Sequence, residues 1–215
     1  MNALAKIVVA SGNPGKLAEI RALLAPLQIE ILAQGDLGIV EAQEPHFTFL
    51  ENALAKARHA SAAAGLPALA DDSGLCVAAL GGEPGVDSAY YAGKAGSRAE
   101  RDARNNAKLL AQLAVLADKR AHYACVMVLV RHARDPQPLV AEADWPGTII
   151  GAPRGANGFG YDPLFLPAGC AQTAAELDAA EKNRISHRGL ALQRLLVRLR
   201  EADAGKPSRM REAGS

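Results

Sequence analysis

The chain has 215 residues, 49% of them hydrophobic, and a formal net charge of +1 at pH 7. That is enough for one domain with a sizeable core, and the near-neutral balance excludes a general electrostatic attraction to nucleic acid or to a membrane surface, so any anion site must be local. No apolar run approaches the ~20 residues of a membrane span, and Met1–Lys6 is too short for a signal peptide. Cys76, Cys125 and Cys170, widely separated and without a CxxC pair, read as free thiols of a reducing, cytoplasmic compartment.

Lys6–Ala10 reads as a buried strand. Ser11-Gly12-Asn13-Pro14-Gly15-Lys16 follows, then Leu17, Ile20, Leu23 and Leu24 at helical spacing. Pro14 suits the first turn of that helix. A helix start offers free N–H groups and a positive dipole end, both suited to phosphate, and Lys16 adds a point charge. The spacing is not GxxxxGK[ST], and Leu17 stands where a metal-binding hydroxyl would be needed. Taken alone, the segment fits an ordinary strand-to-helix turn equally well. Gln28–Ala33 predicts a second strand, and Gln34–Pro45 a polar loop carrying Asp36, Glu41 and Glu44. Thr48, with Glu51 three residues on, caps a helix running to about Gly65. Leu50, Ala53, Leu54 and Ala57 form its apolar face, and Lys56 and Arg58 fall on a solvated one.

Leu66–Ala70 predicts a short buried strand, Asp71-Asp72-Ser73-Gly74 a turn, and Leu75–Leu80 another strand. Side chains alternate across a strand, so Asp71 and Asp72 should point to opposite faces. A carboxylate at a strand end suits a hard cation such as Mg2+, held by one or two carboxylates plus substrate phosphate; a solvated Asp-Asp turn is the alternative. Gly81–Gly85 is a turn cluster, and Ser97–Leu116 a long amphipathic helix. Tyr123–Arg131 and Leu139–Ile150 form a hairpin through Asp135-Pro136-Gln137-Pro138, which makes the sheet mixed. Gly151–Pro163 is a long glycine-rich loop carrying Phe159 and Tyr161, the kind of loop that is often functional. Ser186 caps a last helix, His187 to about Glu201. Lys182, Arg184, His187 and Arg188 gather cations near its start, against the helix dipole, as suits a bound anion; Arg184 reads as surface charge. Residues 1–201 are expected as a single domain and 202–215 as a disordered tail.

The sequence resembles the inosine/xanthosine triphosphate pyrophosphatase family. The resemblance rests on Ser11-Gly12-Asn13-Pro14-Gly15-Lys16, Thr48-Phe49-Leu50-Glu51-Asn52, Ala70-Asp71-Asp72-Ser73-Gly74-Leu75, Gly158-Phe159-Gly160-Tyr161-Asp162-Pro163 and Ser186-His187-Arg188-Gly189, in the family's order over residues 6 to 200. It implies an α/β fold, a mixed twisted sheet with flanking helices and two lobes around a nucleotide cleft. It implies Mg2+-dependent hydrolysis of deaminated purine nucleoside triphosphates to monophosphate and pyrophosphate, by a homodimer. It also implies roles. Asp72 would be the catalytic carboxylate, with Glu44 as the second acid near Mg2+. Ser11, Gly12, Asn13, Pro14, Gly15, Lys16, Lys56, Ser73 and Lys182 would meet the triphosphate. Phe159 would stack on the base, Phe159, Gly160, Tyr161 and Asp162 would form the nucleoside loop, and His187 and Arg188 would serve the base and phosphate side. Tyr90 departs from the family, which usually has Arg there. Two alternatives stay open: a Maf-like pyrophosphatase acting on modified pyrimidine nucleotides, and a non-catalytic nucleotide-binding module.

Overall fold

The computed structural model describes residues 4–204. Its elements are β1 (Lys6–Val9), α1 (Pro14–Leu24), β2 (Glu30–Ala33), α2 (Phe49–Ala64), β3 (Ala68–Val77), α3 (Arg98–Leu113), β4 (Arg120–Val130), β5 (Leu139–Ile149), β6 (Phe165–Pro167), α4 (Ala179–Ile185) and α5 (His187–Ala204). One six-stranded sheet runs in the order β2-β1-β3-β4-β5-β6. The first three strands pair parallel. The β3–β4, β4–β5 and β5–β6 pairs are antiparallel, so the sheet is mixed, as the hairpin pattern requires.

Side-chain alternation sorts the core into layers. Val9, Leu69, Met127 and Leu129 pack on α1 and α5 through Ile20, Leu24, Leu192 and Leu195. Val8, Ala68, Ala70 and Val128 pack on α2 through Ala53, Ala57 and Ala60. The far halves of β3 and β4 leave both layers and form a second lobe, in which Leu75, Val77, Tyr123, Trp145 and Phe165 surround Leu109 and Leu113 of α3. The three long strands, β3, β4 and β5, are thus shared by both lobes, β5 giving Ala141 and Ala143 to the first and Trp145 and Ile149 to the second. Each large apolar side chain buried this way contributes about 1.5–3 kcal/mol.

Several expectations need correction. The Asp-Asp turn does not exist: β3 runs unbroken through Ala68–Val77, paired with β4 along its whole length. Gly74 is there for close approach, because a Cβ would stand 2.2 Å from the Gly85 carbonyl oxygen and 2.5 Å from Ser88 Oγ. Leu50 is exposed, and the inward face of α2 is alanine-rich instead. Two short elements were not anticipated, β6 and α4. Helix α5 continues past Glu201 to Ala204; the remainder of the tail, 205–215, lies outside the described residues. Among the described residues no helix is long and apolar enough to cross a membrane, and Cys76, Cys125 and Cys170 are free thiols.

Candidate active site

Strand β1 lies between β2 and β3, with α1 on one face of the sheet and α2 on the other. The chain order therefore reverses at β1, and in such sheets the carboxyl ends of the strands at the reversal form a natural ligand site. Ala10 N–H donates to the Leu69 carbonyl at 2.8 Å, so the Ser11–Lys16 turn emerges beside Asp71. The turn is built by Asn13. Its Oδ1 accepts from Gly15 N–H (2.9 Å) and Lys16 N–H (3.2 Å), and Pro14 has no N–H to offer. The helix start is thus already capped, and its positive charge comes from the Lys16 ammonium rather than from its backbone. Gly15 is a contact glycine, since a Cβ would stand 2.7 Å from the Phe159 ring.

Asp71 faces α1 and α5. Its Oδ2 accepts from Lys16 Nζ (3.0 Å), from Ser73 Oγ (3.2 Å), and from Arg188 Nε (3.2 Å) and Nη2 (3.1 Å). Burial pushes this carboxyl up, but Lys16, then Arg188 and Lys56, more than reverse it and hold it well below the usual carboxylate range. Arg188 is 2% exposed. It also pairs with Glu19 and donates to Ser73 Oγ at 2.9 Å. Lys182 continues the network, reaching Glu19 at 3.2 Å and Asp162 at 2.7 Å. Despite its own burial Glu19 is held low by Arg188 and Lys182.

Asp72 faces α2. Its Oδ1 accepts from Lys56 Nζ (2.9 Å) and its Oδ2 from Asn52 Nδ2 (3.3 Å). Lys56 also reaches Glu44 at 2.6 Å, so it is a buried ion-pair member and not a solvated charge. Burial opposes the Lys56 charge, but Asp72, Asp71 and Glu44 together raise its pKa. Asp72 goes the other way from Asp71: burial pushes it above the ordinary value, against Lys56 and Lys16, and Glu44 adds to the rise.

The loop after β5 brings Phe159 over this region. Phe159 N–H donates to Asp162 Oδ2 at 2.8 Å, and Tyr161 Oη to the Ser88 carbonyl at 2.9 Å. Three cations surround the Phe159 ring: Arg98 at 4.6 Å, Lys182 at 5.1 Å and Arg188 at 5.9 Å from its centroid. His187 lies apart from them, stacked on Tyr123 at 4.7 Å and 6° and, more distantly, on Trp145. Burial, then Arg188 and Lys182, push its pKa well below the ordinary value. It is neutral at pH 7 and is not one of the clustered cations. Arg184 pairs with Glu181 at the surface.

A divalent cation fits this donor set. Five carboxylates (Glu19, Glu44, Asp71, Asp72 and Asp162) meet four cations (Lys16, Lys56, Lys182 and Arg188), an excess of one negative charge that would repel a bare triphosphate. Glu44 and Asp72 converge on one ammonium, and Asp71 Oδ1 is buried without a hydrogen-bond partner. Among the described residues no three His, Cys, Asp or Glu side chains form a metal cage. One or two carboxylates with substrate phosphate completing the shell is how Mg2+ is commonly held.

The model of the Ham1 family matches residues 7–198. The chain belongs to the Ham1 family. It is 64% identical over 195 residues to a protein of Ralstonia nicotianae named dITP/XTP pyrophosphatase, covering 91% of this chain and 96% of that one. A Burkholderia pseudomallei protein of the same name is 62% identical over 199 residues, covering 93% and 95%. Among solved structures, a HAM1 protein from Coxiella burnetii superposes with a TM-score of 0.83 at 48% identity, over 92% of this chain and 100% of that one.

In this Ham1 chain the motif segments meet in space, with Lys16, Ser73, Lys182 and Arg188 in one network and Glu44, Lys56 and Asp72 in a second. Sequence reading gave no role to Glu19, which joins Arg188 to Lys182, nor to Asn52. Besides Asp72, Asn52 holds the backbone of His46, donating to its carbonyl at 3.2 Å and accepting its N–H at 3.1 Å. Spacing could have found both: Glu19 is three residues from Lys16 and Asn52 four from Lys56, neighbours on one helix face.

Proposed function

We propose that the chain hydrolyses deaminated purine nucleoside triphosphates (dITP/ITP and XTP/dXTP) to the monophosphate and pyrophosphate with Mg2+, clearing them from the nucleotide pool. The observation that carries this reading is the meeting of Glu44 and Asp72 at Lys56, in a chain 64% identical to a named dITP/XTP pyrophosphatase. Membership of the Ham1 family weighs against the Maf-like alternative.

Glu44 and Asp72 would hold the metal, which when bound neutralises phosphate charge and polarises the phosphorus–oxygen bonds. Asp72 takes the proton of the attacking water, its carboxylate oriented by Lys56 at 2.9 Å and Asn52 at 3.3 Å. The water oxygen bonds to phosphorus as the bond between the α and β phosphates breaks. Lys16, Lys56 and Lys182 answer the phosphate charge, together with Ser73 and the Ser11–Gly15 turn. Phe159 stacks on the base, within the loop completed by Gly160, Tyr161 and Asp162. His187 and Arg188 serve the base side, where a donor-only guanidinium favours O6 over the amino group of adenine. By resemblance to the family the protein is a cytoplasmic homodimer of single-domain subunits; light scattering after size exclusion tests the dimer.

The deciding assay is pyrophosphate release from inosine, xanthosine, guanosine and adenosine triphosphates with Mg2+ and with chelator. Inosine and xanthosine triphosphates should be used best, and only with metal. Equal use of adenosine triphosphate would remove the substrate reading. If discrimination against adenosine triphosphate survives in Arg188→Ala, the substrate reading stands and Arg188 is not its reader.

A further inference from the structure

Helix α3 lies in the second lobe and shares no hydrogen bond or ion pair with the carboxylates or lysines of the two networks, yet one stripe of it grips the Phe159 loop. Arg98, Asp102 and Asn106 are spaced four residues apart, so they share a helix face. Asp102 Oδ2 accepts from Gly160 N–H at 3.0 Å, and Asn106 Nδ2 donates to the Gly160 carbonyl at 3.0 Å. Both polar groups of a single peptide residue are thereby held by side chains one helical turn apart. One turn earlier, the Arg98 guanidinium lies over the Phe159 ring at 4.6 Å and 3.8 Å from the Asp102 carboxylate. On its other side the Phe159 backbone is fixed by Asp162. A glycine at position 160, with φ of +63°, has no side chain of its own to set the path of the loop.

We infer that Asp102 and Asn106 are positioning residues for the aromatic base platform, and that Arg98 orients Asp102 from the preceding turn. This rests on the reading of Phe159 as the base-stacking ring. Without the grip on Gly160 the ring keeps its chemistry but samples several positions, and the entropy of fixing it is charged to substrate binding. The loss should fall on the base and not on the phosphates.

The test compares Asp102→Ala, Asp102→Asn and Asn106→Ala with wild type in steady-state kinetics on inosine triphosphate, with titrations of inosine and of inorganic tripolyphosphate. Asp102→Ala and Asn106→Ala should each raise KM about tenfold and weaken inosine binding by a similar factor. Their kcat should change less than KM, and tripolyphosphate affinity should stay within twofold of wild type. Asp102→Asn keeps an acceptor for Gly160 N–H and should restore KM to within about twofold. Equal weakening of inosine and tripolyphosphate, or wild-type KM in both alanine variants, overturns the inference. Should Asp102→Ala fail to fold, Asn106→Ala carries the same comparison. A wild type that neither cleaves inosine triphosphate nor binds inosine overturns the functional reading itself, and this inference with it. Wild-type activity with unaffected variants overturns the positioning role alone.

Discussion

Asp71 and Asp72 are adjacent and chemically identical, yet they face opposite sides of one strand and live in opposite electrostatic surroundings. Asp71 looks toward α1 and α5, where Lys16 and Arg188 hold it ionised. Asp72 looks toward α2, where it shares the single cation Lys56 with Glu44, and burial raises its pKa. One carboxylate is a counter-ion that keeps an arginine in the protein interior; the other retains basicity. A strand's period of two is enough to make that difference, because each face is covered by a different helix.

Breaking the Asp71 side should be the most damaging to the fold. Asp71→Asn leaves Arg188 and Lys16 short of their partner, and removal of one member of a buried pair costs about 3–5 kcal/mol. Denaturant unfolding should show that loss; a midpoint equal to that of wild type would mean that Glu19 and Ser73 suffice for Arg188. Asp72→Asn should instead spare the fold and lower kcat by ~10²-fold or more, about 3 kcal/mol in the barrier. Near wild-type turnover in this variant would remove Asp72 from the chemistry.

Smaller effects sharpen the contrast. Lys16→Ala and Lys182→Ala should each lower kcat/KM for the triphosphate about tenfold, or ~1.4 kcal/mol, while inosine binding changes less. Parallel losses in both would place these lysines at the base. The smallest effect concerns pH. His187 is a base whose folded pKa is depressed, so its contribution to stability is present above the ordinary histidine value of ~6.5 and is lost as pH falls below it. Its slope is at most about 1.4 kcal/mol per pH unit. Unfolding free energies measured from pH 7.5 to 5 should fall less steeply in His187→Phe than in wild type, and an unchanged slope would contradict the buried neutral imidazole.

Much of this was legible in the chain. The Lys6–Ala10 run and Pro14 placed β1 and the start of α1, and alternation alone sent Asp71 and Asp72 to opposite faces. Local composition misled where tertiary contact overrode it. Asp-Asp-Ser-Gly has the residues of a turn, but β4 pairs through it, cations from three helices neutralise the carboxylates, and Ser88 packs on Gly74. Lys56 read as solvated because its partners, Glu44 and Asp72, are distant in sequence or on another element. Glu19 escaped for a similar reason, since its ion pairs span more than 160 positions. Elements as short as β6 carry too few residues to show a period.

The division between the two aspartates can be observed directly by following the carboxyl carbon resonances of Asp71 and Asp72 in a pH titration of the folded, metal-free protein, with Asp71→Asn and Asp72→Asn supplying the assignments. Asp72 should titrate above the ordinary aspartate value of ~3.9, while Asp71 should remain ionised to the lowest pH at which the protein stays folded. Coincident titrations, or Asp71 taking up its proton at higher pH than Asp72, would contradict the assignment of one as counter-ion and the other as base.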